Sequence, residues 1–125
     1  MKKYAGGCLC GNITYKVSEE FTFPHLCSCH MCQKWSGAPT VAWVDFPLKT
    51  LMWDGPGGEP TFYRSSKKTQ RGFCPKCGGA LCAIDDGGEN ICMTIASLHN
   101  PDLVKPGVQH SYQKEAPSWW KVTIQ

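Results

Sequence analysis

The stretch "CSCHMC" at residues 27–32 sets three thiols, Cys27, Cys29 and Cys32, close together. Thiolates at this density are metal ligands, and they suit tetrahedral zinc best. A zinc that only holds a fold takes four protein ligands, whereas three leave one position for water or a substrate. Two other clusters accompany this one. "CLC" (Cys8, Cys10) is flanked by Gly6, Gly7 and Gly11, and "CPKCGG" carries Cys74 and Cys77. A C-x-x-C followed by glycine is a knuckle: its turn brings both sulfurs to one point, and glycine lets the backbone curl beneath them.

Geometry pairs the clusters. Zinc–sulfur bonds of about 2.3 Å put tetrahedral sulfurs roughly 3.8 Å apart. Alternate residues of a flat strand are about 6.7 Å apart, so a C-x-C must bend to converge. The glycines around "CLC" permit that bend. Cys8, Cys10, Cys74 and Cys77 are thus expected to form a closed structural zinc site. Cys27, Cys29 and Cys32 then form an open, catalytic one, in which bound water or thiol is acidified and an oxygen polarised. His25, His30, Cys82 and Cys92 are the candidates that would close it as a fourth ligand. A redox pair at Cys29 and Cys32 lacks the βαβ surroundings such a pair requires.

These ligands need short, turn-rich elements to carry them. The chain has 125 residues, with 13 glycines and 9 prolines, and is read as one domain over residues 1–125. "NITYKVS" (12–18) places Ile13, Tyr15 and Val17 on one face, and "TVAWVDF" (40–46) reads as a buried strand. "TLMW", "TFYR", "ALCAID" and "NICMTIASL" are further strand-like runs, and Asp86-Gly87 is a hairpin signal. One short helix is expected around "HMCQKWSG". The fold class is therefore mostly β, in short antiparallel sheets held by metal as much as by apolar burial.

Composition narrows the function. Nine cysteines are an odd number for a complete disulfide framework. The formal charge is +3. Seven ligating thiolates, less the four charges of two zinc dications, remove three and leave none. The basic balance that nucleic-acid binding would use disappears. No signal-length or membrane-length apolar run occurs, so the chain is read as cytoplasmic, without membrane or nucleic-acid partners.

"GGCLCGNITYKV", "CSCHMCQKWSGA" and "TQRGFCPKCGGAL", in that order, resemble the glutathione-dependent formaldehyde-activating enzyme family, which includes the centromere protein V group. "ASLHNPDLVKPGVQH" and the tryptophan-containing tail are similar to that family's ending, so the resemblance spans nearly the whole chain. It implies an Mss4-like zinc-stabilised fold with two zinc ions. The structural one would lie on Cys8, Cys10, Cys74 and Cys77, and the other on Cys27, Cys29 and Cys32. It implies carbon–sulfur lyase chemistry on a thiol–aldehyde adduct, glutathione with formaldehyde being the namesake pair. Two positions depart from the family pattern: Ser28 stands where histidine is common, and His99 where an acid is common.

His30, beside the open site, is the candidate proton carrier. Trp35, Ser36 and Gly37 follow the motif and are candidates to wall a substrate pocket. His99 and His110 are more distant candidates. Cys82 and Cys92 read as buried small hydrophobes. Arg64, Lys67, Lys68 and Arg71 read as a solvated basic face, and Trp119 and Trp120 as packing for the C-terminal segment. The rival class is a zinc-scaffolded interaction module without turnover, because a fold does not fix a function.

Overall fold

The computed structural model describes residues 3–18 and 20–125. Ile13, Tyr15 and Val17 alternate into and along β2 (Thr14–Val17), and all three are buried. Strand side chains point to opposite faces in turn, so this spacing gives one apolar face. β2 lies between β1 (Tyr4–Gly7) and β5 (Met52–Trp53) in a three-stranded sheet, antiparallel on both sides.

The second sheet has seven strands. Its order is β10 (His110–Ser111), β3 (Thr22–Cys27), β4 (Val41–Pro47), β9 (Asn90–Thr94), β8 (Ala80–Asp85), β7 (Thr69–Phe73) and β6 (Thr61–Arg64). The Asp86-Gly87 turn joins β8 to β9, with Gly88 N–H donating to Asp85 O at 3.0 Å. Every pairing is antiparallel except β10 on β3, which is parallel. Antiparallel sheets alone were expected. A two-residue strand delivered by the C-terminal segment carries no periodicity that could have announced the exception.

Both faces of β4 are covered. Val44 and Phe46 face the small sheet and join Tyr4, Ile13, Tyr15, Val17, Leu81, Ile91 and Met93 in the main core. Trp43 and Val41 face the other way, into a smaller cluster with Cys27 and Cys32. That explains why residues 40–46 read as continuously apolar rather than alternating. The smaller cluster is roofed by α1 (His30–Ser36), the expected helix, whose Trp35 packs against it. Among the described residues, no helix is long and apolar enough to cross a membrane.

Candidate metal centres

The first centre joins the two sheets. Cys8 follows β1 and Cys74 follows β7, while Cys10 and Cys77 sit on the turns just beyond them. The "CLC" bend is set by Cys8 N–H donating to Ile13 O at 2.9 Å and by Gly11 N–H donating to Cys8 O at 3.2 Å. In the knuckle, Gly78 adopts φ 75° and its N–H donates to Cys74 O at 2.8 Å. Lys76 N–H and Cys77 N–H both point at Cys74 Sγ, at 3.3 and 3.5 Å. Burial works against ionisation of Cys74, but these two amides and the neighbouring thiols hold it down at about 6. Cys10 Sγ lies 3.7 Å from both Cys8 Sγ and Cys74 Sγ. The edge of a tetrahedral zinc–sulfur site is about 3.8 Å. All four sulfurs lie within 4.8 Å of one another, as the pairing argument required, and the set fits a metal ion.

The second centre is built from the end of β3 and the start of α1. Cys27 ends the strand, and Cys29 is the helix N-cap, its sulfur accepting from Cys32 N–H at 3.2 Å. A sulfur takes the capping role that an oxygen usually fills. Cys27, Cys29 and Cys32 hold their sulfurs within 4.8 Å of one another. Among the described residues, no fourth His, Cys, Asp or Glu atom joins that group. His25 is turned away, with Nδ1 2.8 Å from Phe23 O and its ring stacked on Phe23. Cys82 lies in the main core, and burial pushes its thiol up to about 12. Cys92 packs beside the trio without joining it, its thiol raised by burial and by neighbouring Asp45. In the trio itself, the Cys27 thiol and the Arg71 guanidinium hold Cys32 low, at about 5, against the effect of burial. Three sulfurs in this arrangement also fit a metal ion.

The remaining candidates divide. His30 begins α1, is largely exposed, and sets Nδ1 3.5 Å from Glu115 Oε1. Trp35 stacks on Trp43 above the trio. Ser36 Oγ donates to Cys32 O at 2.8 Å, and Gly37 ends the helix at φ 74°. Ser36 also lines a cavity of about 450 Å³ together with Cys8, Thr40 and Gly79, on the side facing the first centre. His99 is exposed and lies outside both groups. Arg64 pairs with Asp86 through two contacts of 3.0 Å, and Lys67 and Lys68 are solvated. Arg71 is not on that solvated face: it is buried against Cys32. Strand β7 alternates, and its register sends this one cation inward. Trp120 packs edge-on to His110, but Trp119 is 76% exposed, because the turn closed by Trp120 N–H on Pro117 O splits the pair.

Sequence reasoning missed the strap that clamps the trio's loop. Ser28 is buried, and its Oγ lies 2.7 Å from His110 Nε2. Gln33 Nε2 donates to Ser28 O and Glu115 O, and His30 N–H donates to Glu115 Oε1 at 3.0 Å. The partners drawn from the C-terminal segment, His110 and Glu115, are 82 to 85 residues away in the chain, so no local spacing reveals them.

Comparison with known proteins agrees with this architecture. A crystal structure of a Rhodobacter sphaeroides protein superposes with a TM-score of 0.63 at 24% identity, over 86% of this chain and 98% of that one. That likeness speaks to the fold. No curated protein matches the chain. Residues 3–115 match the family described as glutathione-dependent formaldehyde-activating enzyme, a span that includes all seven clustered cysteines. The chain belongs to the glutathione-dependent formaldehyde-activating enzyme family.

Proposed function

We propose that this protein adds a small thiol to an aldehyde, or reverses that addition, as a carbon–sulfur lyase of the glutathione–formaldehyde type with zinc at both cysteine clusters. One observation carries the reading: three converging sulfurs with no fourth protein ligand among the described residues. Family membership supports the substrate class. Zinc held there supplies a Lewis-acid position where a thiol ligates as thiolate or an aldehyde oxygen is polarised.

The bond changes balance without redox chemistry. The thiol gives up its proton, and the sulfur electron pair forms a bond to the carbonyl carbon. The displaced π pair stays on oxygen, which takes up a proton to become a hydroxyl; elimination runs the same steps backward. In this reading Cys27, Cys29 and Cys32 hold the catalytic ion, and Cys8, Cys10, Cys74 and Cys77 hold the structural one. His30 carries the proton: Glu115 occupies its Nδ1 side and leaves Nε2 for exchange. Trp35, stacked on Trp43, and Ser36, bonded to Cys32 O, would wall the approach together with Gly37 at the end of α1.

The test is zinc content and turnover of formaldehyde with glutathione, in wild type and in Cys32→Ser. The expected result is two zincs and turnover in wild type, against one zinc and no turnover in a folded variant. Equal turnover in both proteins would overturn the reading. So would a wild type carrying a single zinc, which would leave a cross-linked scaffold.

A further inference from the structure

The proposed reaction makes no use of Arg71, yet its surroundings are specific. This charged side chain is 7% exposed. Its Nη2 donates to Cys32 Sγ at 3.6 Å. The guanidinium carbon lies 5.0 Å from the Trp35 ring centre and 5.6 Å from that of Trp43. Those two rings are within 8° of parallel. Nε and Nη1 are buried without a hydrogen-bond partner. Among the described residues, no carboxylate forms an ion pair with Arg71. Asp45 shares its face of the sheet but stands at the far end of the row Arg71, Ala83, Cys92, Asp45, three strands away.

A buried cation without a counterion is among the most costly features a fold can carry. Two tryptophan faces offset part of that cost, but they supply no negative charge. The nearest group able to supply it is the cysteine trio. Three thiolates around a dication leave one net negative charge, and the guanidinium carries one positive charge. Each is the other's missing partner. Lysine, a hydrated point charge, could not lie flat beside the indoles and also reach the sulfur.

We propose that Arg71 is the built-in counterion of the three-cysteine centre, raising the trio's affinity for a thiophilic dication and keeping its fourth position receptive to an anionic sulfur. The proposal rests on the central metal of the preceding reading. A loaded site carries a net negative charge, and a fixed positive charge beside Cys32 favours that loaded state. Arg71 acts through the trio, so it is a positioning residue.

The test is zinc competition against a chromophoric chelator, in wild type, Arg71→Met and Arg71→Lys. Losing one charge-assisted hydrogen bond is expected to weaken the central site about ten- to a hundredfold. The four-sulfur site should not change, and Arg71→Lys should fall between the other two proteins. In cobalt-loaded protein, the sulfur-to-cobalt charge-transfer band should shift in Arg71→Met, a signature that a packing role would not move. Unchanged central affinity and an unchanged band would overturn the proposal. If Arg71→Met does not fold, Arg71→Lys and Arg71→Gln decide: tighter zinc in the lysine variant supports it, and equal affinities overturn it. A wild type with one metal would sink the preceding reading. Two equally tight metals in wild type and Arg71→Met would sink this one alone.

Discussion

Cys32 touches every part of the second centre. Its sulfur faces Arg71, its amide caps against Cys29, and its carbonyl accepts from Ser36. Removing one sulfur leaves two ligands, too few to retain a zinc tightly, but the main core contains none of the trio. Cys32→Ser is therefore expected to lose one zinc and to keep a cooperative unfolding transition, as metal analysis and thermal melting would show. Loss of cooperative unfolding would mark the centre as architectural. At this scale the ligands were legible, because a thiol's chemistry depends on type and spacing. Arg71 was not: its role depends on which face of β7 it occupies, and neighbouring Arg64, Lys67 and Lys68 made it look like part of a solvated run. His110 was legible only as a distant candidate, since its contact with Ser28 comes from a strand pairing invisible to local pattern.

Elements with a strong apolar pattern, alternating in β2 and continuous in β4, were readable. β2 and β4 followed from their apolar spacing, and α1 from the residues around Cys32. β1 and β7 were not, because "YAGG" and "TQRGF" offer glycine where strands usually offer bulk. Packing explains the glycine of β7. A Cβ on Gly72 would lie 2.6 Å from Cys82 Sγ and 3.0 Å from Phe62 Cε1, inside the core just before the knuckle. Gly72→Ala is thus expected to destabilise the protein by about 1–3 kcal/mol through overpacking. Denaturant unfolding of the zinc-loaded protein measures this, and a change below about 0.5 kcal/mol, the size of an ordinary surface substitution, would show that the strand yields.

At the scale of the molecule, the first centre is a cross-link between the small sheet and the large one. It joins residues 64 apart, such as Cys10 and Cys74. By the chain-entropy account of cross-links, closing such a loop contributes about 4 kcal/mol. Structural zinc binding, at about 10–16 kcal/mol, matches or exceeds the whole stability of a small domain. Exhaustive chelation is therefore expected to unfold the protein, while mild chelation removes the three-sulfur ion first and leaves the circular dichroism native. A protein that keeps its fold and melting temperature after both metals are gone would show that the apolar core suffices alone. The layered architecture itself was only partly legible: length and strand count gave the class, but the order of seven strands depends on pairings between distant segments.

The most direct measurement is zinc-edge X-ray absorption on the two-zinc protein, before and after adding glutathione. The seven clustered cysteines predict seven sulfur neighbours and one nitrogen or oxygen neighbour for each pair of ions. Adding the thiol should replace that light neighbour with sulfur. Eight sulfurs before any thiol is added, or a spectrum that saturating glutathione leaves unchanged, would contradict the account.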